Sequence, residues 1–493
     1  MSGAQRVEEL IRSKRFGSMG NSGSLGKPYQ ESFFGDAPEA GFKRGGSRAR
    51  LEAITRNLDL KGKLVLDVGC NIGFFCFGAA AAGARAIGVD YDQDSIDVAT
   101  ESARAHSVEG VRFVRASFDA RFAAELVAEH GVPDVILLNS VVHWLLYAHD
   151  SLREVARAFQ PLLSNEKKQY IVYEPSSTGV AYYPELLSEA GIVDFFLSLG
   201  VVKHRALGEF DAENARQKRE YLLAERDVPQ SLALARQILE PGGERSAEFQ
   251  HAFGAPKGVS RKPNKVNVLT ERVVVKSHPP GRLGAQALLR NEAESLARFG
   301  SAHAPQVLMS GEVDGAFVLV CKREPGADLQ AQWIDAADVP LIEQQLSEAL
   351  GELRDAGLAH NDIRPQNVLW SAAEKRLTLI DFEFCSALCH ESGAAANAHL
   401  RQQLAGRMKS ADDLSYLDDR LKHLGGKWRS TFGLSTAEND RYAAKKAIFA
   451  LKNRRSYYKR RVLQSVSGLV PRPVRSLLRS WAPGARLDKA LDD

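Results

Sequence analysis

Short apolar runs punctuated by glycine turns and helical patterns fill the first half of the chain. Leu64-Val65-Leu66 is an aliphatic run suited to a central parallel strand. It leads through Asp67, Gly69 and Gly73 into an apolar helical stretch from Phe74 to Ala82. Ala86-Ile87-Gly88-Val89 is the next strand, and it ends in Asp90. DVILLNSVVHW supplies another buried strand, and GVVKHRALGEF with REYLLAE reads as an antiparallel hairpin closing the sheet. Strands alternating with helices predict an α/β fold. In the second half, Val273-Val274-Val275 ends in Lys276, LLRNEAESLARF has a helical pattern, and Ala316 to Cys321 is a buried strand. Leu377 to Ile380 is a short apolar strand running into Asp381. No run approaches the roughly 18 apolar residues of a membrane span.

The glycine turn sits where a strand hands over to a helix. Glycine lets backbone pass close to a ligand, and the helix N-terminus offers free N–H groups. Asp90 follows the turn by roughly 20 residues, where a carboxylate can accept hydrogen bonds from ribose hydroxyls. The turn reads GCNIG and not GxGxxG, which disfavours a dinucleotide. With DVGCNIG, GVDYD, RASFD and DVILLNSVVHW in this order, residues 25 to 228 resemble the class I S-adenosylmethionine-dependent methyltransferases. The resemblance implies a Rossmann-like domain in which Asp67, Gly69 and Gly73 form the donor turn. Asp90 would bind the ribose, and Asp119 would meet the adenine amino group. His143 and Trp144 follow the fourth strand, at the sheet edge where such folds bind ligands. His143 is a candidate general base, phosphate-binding group or packing histidine. Tyr29 and Gln30 precede the first strand, where similar enzymes fold a lid over the donor.

His360-Asn361-Asp362 and Asn367 reproduce the HxDxxxxN loop of protein kinases and their relatives. That resemblance implies that Asp362 orients the attacking hydroxyl, that Asn367 and Asp381 hold Mg²⁺, and that Lys276 grips the phosphates of ATP. Glu292 would pair with Lys276, with Glu294 as the fallback. Arg364 stands two residues past Asp362, where a cation can neutralise a transferring phosphate. The triplet at Asp381 reads Asp-Phe-Glu, without the usual glycine, and no glycine-rich loop precedes Lys276. Arg261 and Lys262 are candidates to cover the phosphates instead. No activation segment ending in Ala-Pro-Glu follows, which favours a small-molecule or glycan kinase over a protein kinase.

The two signatures in this order are similar to the bifunctional methyltransferase–kinases of the WbdD type, which terminate O-antigen polysaccharides. The resemblance implies a lipid-linked glycan acceptor that is phosphorylated and then methylated, with S-adenosyl-L-methionine, ATP and Mg²⁺ as cofactors. Two alternatives are an RNA or small-molecule methyltransferase whose kinase-like domain only binds a ligand, and an antibiotic phosphotransferase fused to a methyltransferase.

Composition changes the picture at one place. The chain is 44% hydrophobic and 26% charged, with a net charge of +4. Twelve Lys or Arg and no acid lie between Arg441 and Ser480, so the remainder carries −8. Basic residues interleaved with Ile448, Phe449, Tyr457 and Tyr458, then VRSLLRSW, suit an anionic membrane surface. Docking to a glycosyltransferase is the other partner considered, and nucleic acid is disfavoured. Five scattered cysteines and a charged N-terminus point to a reducing, cytoplasmic setting, peripheral at the inner face of the membrane. The expected division is a flexible N-terminus (1–24), a methyltransferase domain (25–228), a linker helix (229–262), a two-lobed kinase-like α+β domain (263–445) and a basic helical tail (446–493).

Overall fold

The computed structural model describes residues 2–17, 24–35, 41–149, 151–175, 189–211, 218–263, 265–281, 283–391, 393–406, 414–415, 418 and 435–467. The chain divides into two compact units. Unit one is Met1–Lys262, Val266–Ser277 and Leu308–Lys322; unit two is Pro263–Lys265, His278–Val307 and Arg323–Asp493.

Unit one opens with helix α1 (Gly3–Ser13), closed by a reciprocal capping box between Ser2 and Gln5. Val7 and Ile11, four residues apart, are buried with Ile72 and Val98. Lys14 pairs with Asp94 and Asp97 at 2.9 and 2.6 Å. Phe16 is also buried, in the short strand β1 (Arg15–Phe16) that pairs with β2 (Ser24–Leu25). Within the segment expected to be flexible, Gly3–Ser13 is helical and Arg15–Phe16 a short strand. A cap and an apolar i, i+4 pair outweigh its charged composition.

The main sheet follows α2 (Ser47–Asn57) and is built from β3 (Leu64–Val68), α3 (Phe74–Ala81), β4 (Arg85–Asp90), α4 (Gln93–Ala105), β5 (Val111–Arg115), α5 (Ala120–His130) and β6 (Val135–Asn139). It continues through α6 (Val142–His149), α7 (Leu152–Phe159), β7 (Gln169–Glu174), α8 (Glu189–Ser198), β8 (Lys203–Asp211) and β9 (Lys218–Arg226). Strand order is β5-β4-β3-β6-β7-β9-β8. The first five are parallel and β9 is antiparallel to both neighbours. Every residue of β3 and β6 is buried. Leu64, Leu66 and Val68 face one core with Ile136 and Leu138, while Val65 and Leu137 face the other. That two-sided burial is why both strands read as continuous apolar runs and not as alternation. The hairpin read from the sequence is β8–β9.

Helices α9 (Val228–Arg236) and α10 (Ala247–Phe253) precede strands β10 (Pro256–Lys262), β11 (Lys265–Thr270) and β12 (Val273–His278). After α11 (Leu283–Phe299) come β13 (Val307–Val313) and β14 (Ala316–Lys322), giving a five-stranded sheet in the order β10-β11-β12-β14-β13. Leu232, Phe249 and Phe253 pack with Val268, Val275 and Val318 in one core. The expected linker is thus two packed helices and an edge strand. Strand β10 is exposed at six of its seven positions, so its sequence carries no alternation to announce it.

Unit two contains β15 (Ala327–Asp328), α12 (Val339–Asp355), β16 (Leu358–Ala359), β17 (Val368–Ser371), β18 (Arg376–Leu379), β19 (Ser386–Ala387), α13 (Gly393–Ala405) and α14 (Thr436–Ser467). Helix α14 runs unbroken through the boundary expected at residue 446, and Lys452 on it pairs with Glu343 of α12 at 2.7 Å. The VRSLLRSW segment lies outside the described residues. No helix among the described residues is long and apolar enough to cross a membrane. All five cysteines are buried and unbridged.

Candidate active sites

The first site forms at the carboxyl edge of the seven-stranded sheet. Gly69 (φ +75°) follows β3, and a Cβ there would lie 2.8 Å from Val141 Cγ2. Gly73 (φ +85°) caps α3, where a Cβ would lie 2.6 Å from the Phe113 ring. The turn needs both glycines for conformation and space. Asp90 closes β4 and accepts the Asn71 N–H at 2.8 Å and the Asp92 N–H at 3.0 Å. Burial pushes its carboxyl up to about 6 against the pull of those backbone donors. A cavity of about 330 Å³ opens beside it, lined by Gly69, Asn71, Asp90, Tyr91, His143 and Arg219 among others. Tyr29 and Gln30 also line it, and the Gln30 N–H donates to Asn71 at 3.3 Å. A carboxylate held at the end of β4 beside a glycine turn fits the ribose and sulfonium of a methyl donor.

Two residues assigned to donor binding lie elsewhere. Asp67 is fully buried behind the cavity wall, next to Cys76 Sγ at 3.9 Å. Burial, with the Asp90 charge nearby, pushes its carboxyl up to about 8, so it is neutral at pH 7. Asp119 is exposed and caps α5 by accepting the Phe122 N–H at 2.8 Å. The cavity wall in that stretch is Ala116, Ser117 and Phe118.

His143 lies in the first turn of α6, only 8% exposed, with its Nδ1 unpartnered among the described residues. Burial, then the charge of Arg219, pulls it down to about 4. The imidazole is therefore neutral at pH 7 and a weak base. Beneath it lies a buried charge cluster. Glu174, at the end of β7, is paired with Arg44 and with Arg50, the latter at 3.2 Å. The Ser140 hydroxyl donates to Glu174 at 2.9 Å and accepts from Arg44 at 3.2 Å and Arg219 at 2.6 Å.

The second site is in unit two. His360 is buried, and one ring nitrogen lies 3.1 Å from the Ile380 carbonyl. Asp362 receives the Asn367 Nδ2 at 2.9 Å and the Arg364 guanidinium at 3.2 Å. Arg364 also reaches Asp381 at 3.9 Å. The Asn367 amide nitrogen is turned to Asp362, an orientation that would leave the side-chain oxygen to face a metal. Asp381 (φ +67°) follows β18, and the carboxylates of Glu292, Asp381 and Glu383 all lie within 4.8 Å of one another. Oxygen donors from Asn367 and Asp381 suit a hard divalent cation. Glu292 accepts the Phe382 N–H at 3.3 Å, whereas Glu294 is exposed. Lys276 is half-buried in β12, opposite Asn267.

A family model described as "Methyltransferase domain" matches residues 59–174, and one described as "Phosphotransferase enzyme family" matches residues 330–387. The O-antigen chain terminator bifunctional methyltransferase/kinase WbdD of Escherichia coli is 28% identical over 367 residues. That alignment covers 68% of this chain and 47% of the relative. The chain is similar to the WbdD methyltransferase/kinases. It spans about half the length of these curated relatives (47%). The ubiquinone biosynthesis O-methyltransferase of Aromatoleum aromaticum is 29% identical over 143 residues, covering 28% of this chain and 58% of that protein. A solved structure of WbdD with a kinase inhibitor aligns with a TM-score of 0.34 and 21% identity, over 86% of this chain and 94% of that one.

The chain holds several site residues that its motifs do not announce. Arg219 occupies the inward register of β9 shared by Tyr221 and Leu223, which period-two reading of KREYLLAER would have exposed. Lys265 pairs with Glu383 and lies 3.7 Å from Asp381, whereas Arg261 is committed to the Ile238 carbonyl at 2.7 Å and to Glu244. Asp440, on α14, accepts the His360 and Asn361 N–H groups at 2.7 and 2.8 Å. Asn361 holds a positive φ of 66° there, and its amide donates to Phe384 O and Ser386 Oγ. Asp440 therefore positions Asp362 through the backbone of the loop. Asp440→Ala should lower the phosphoryl-transfer rate by roughly 10²-fold through misplacement of Asp362. Asp440→Asn, which retains one acceptor, should recover part of it. Steady-state kinetics with nucleotide affinity unchanged in both variants would check this, and a parallel loss of nucleotide binding would refute the positioning role.

Proposed function

We propose that this protein phosphorylates the terminal sugar of a lipid-linked surface glycan and then methylates that phosphate with S-adenosylmethionine. The observation carrying this reading is the placement of His143, buried at the cavity wall that Arg219 also lines. A neutral, weakly basic imidazole is poorly suited to deprotonate a sugar hydroxyl. A phosphate monoester is already an anion at neutral pH and needs no base. The kinase-like unit of the same chain would supply that anion.

The phosphoryl step would use Asp362 to orient the sugar hydroxyl, Arg364 to offset charge on the moving phosphate, and Asn367 and Asp381 to hold the magnesium of ATP. In the methyl step, a phosphate oxygen lone pair attacks the sulfonium methyl carbon. The new C–O bond forms as the S–CH₃ bond breaks, and its electron pair stays on sulfur. A phosphate monoester becomes a methyl phosphodiester, with no proton transferred. Asp90 and the Gly69 turn hold the donor, and orientation supplies the rate.

The O-antigen terminators named above support the glycan class. The basic run on and beyond α14 would hold the enzyme against anionic lipid at the inner face of the cytoplasmic membrane, or against a glycosyltransferase. Mass spectrometry of lipid-linked glycan extracts incubated with the protein, magnesium-ATP and S-adenosylmethionine tests the scheme. Phosphate should add with ATP alone, and a methyl group only when both are present. A methyl gain without ATP would refute phosphate capping.

A further inference from the structure

Three guanidiniums, those of Arg44, Arg50 and Arg219, surround the single carboxylate of Glu174. Arg44 and Arg50 are 3% and 2% exposed, Arg219 is 6% exposed and Glu174 1%. Among the described residues the cluster therefore holds more buried positive than negative charge. Buried charge without a counter-charge is costly and calls for an anion. Of its charged members Arg219 lines the donor cavity, next to Ser140. One edge of Arg219 is spent on Ser140, and its Nε has no partner among the described residues. His143 lines the same cavity and offers a second nitrogen, Nδ1, unpartnered among the described residues, from a side chain that is also more than nine-tenths buried.

We propose that Arg219 and His143 form the acceptor subsite of the methyl-transfer cavity, and that they select a phosphate monoester over a neutral sugar. The subsite rests on the phosphate-capping reading given above and names the residues that enforce it. Arg219 supplies the charge and a planar donor edge suited to oxyanions. The neutral His143 adds an N–H to a second phosphate oxygen, leaving a third to attack the methyl group. Ser140 (φ +54°) fixes Arg219 against Glu174, so the donor edge is aimed before the acceptor arrives. An excess of positive charge favours a dianionic phosphate over a singly charged carboxylate.

The test uses the full chain saturated with S-adenosylhomocysteine and magnesium-ADP, which blocks the nucleotide site. Calorimetry then compares a hexose phosphate, the parent hexose and a hexuronate. The hexose phosphate should bind tightest. Arg219→Met should weaken it roughly 10- to 100-fold, the range expected when a charge-assisted hydrogen bond is lost. Arg219→Lys should recover part of the loss. His143→Gln, which breaks no hydrogen bond of the cluster, should weaken it in the same direction, with S-adenosylhomocysteine affinity and melting unchanged. Wild-type phosphate affinity in Arg219→Met and His143→Gln would overturn the subsite while leaving phosphate capping intact. Tighter binding of the hexuronate would overturn the assignment to phosphate. Equal binding of hexose and hexose phosphate by the wild type would overturn both the subsite and the reading beneath it.

Discussion

Asp362→Ala should cut phosphoryl transfer to the glycan by about 10²–10⁴-fold, the range for loss of a positioned general base. Nucleotide binding should survive, because Asn367, Asp381 and Glu292 keep their places. Asp362 is held by Asn367 at 2.9 Å and Arg364 at 3.2 Å, and the loop carrying it is pinned by Asp440. The oxygen therefore has a fixed aim, and removing it leaves the hydroxyl undirected. The consequence extends to the other unit. Methylation of unphosphorylated glycan should stop in this variant, while a pre-phosphorylated acceptor should still be methylated at the wild-type rate. The two acceptors assayed side by side with labelled donor check the order. A methyl group on bare glycan in Asp362→Ala would disprove it.

The residues of both candidate sites could be grouped from the sequence because they lie close together along the chain. The turn from Asp67 to Gly73 and the acid at Asp90 are separated by one helix and one strand, so spacing alone placed them. The same is true of Asp362 and Asn367, five residues apart on one loop. Asp119 shows the limit of that logic: it lies at the expected spacing, yet it faces out and caps α5. A short polar side chain before a helix serves the backbone as readily as a ligand. Asp67 shows another, since a residue inside a two-sided central strand ends up behind the cavity and not in it.

What the sequence hid depends on distant pairing. Glu174 ends an apolar strand, Arg44 and Arg50 sit in a polar stretch, and Arg219 begins a charged hairpin strand. Nothing local says that they share one buried cluster. Asp440 lies 78 residues past Asp362, at the start of a helix whose basic composition suggested a surface tail. Arg261 and Lys262 stood out as phosphate-covering cations, whereas it is Lys265, the first residue of β11, that reaches Glu383 and Asp381. The N-terminal helix was detectable, since Ser2, Gln5, Val7 and Ile11 spell a capped amphipathic turn. Its charges drew attention away from that pattern.

Glu174→Ala should be the most destabilising single change in the methyltransferase sheet. It leaves Arg44 and Arg50, whose side chains are 2% exposed, without their carboxylate. Removing one partner of a buried ion pair costs roughly 3–5 kcal/mol. For a unit of this size that corresponds to a drop of roughly 6–20 °C in melting temperature. The transition to follow is the one that S-adenosylhomocysteine raises in the wild type, which reports the donor-binding unit. The wild type adds a pH signature. Burial pulls the Glu174 carboxyl upward, but the Arg44 hydrogen bond and the charges of Arg50, Arg44 and Arg219 outweigh it and hold it below its ordinary 4.5. A depressed folded value means the stabilisation is present above pH 4.5 and is lost as pH falls through that lower value. Glu174→Gln keeps the shape but turns an amide N–H toward a guanidinium, so it should be destabilised near neutrality and lack that acid-side loss. Melting of Glu174→Gln that matches the wild type at pH 7 would mean that the three arginines do not depend on this carboxylate. It would also remove the charge argument that aims Arg219 at the acceptor.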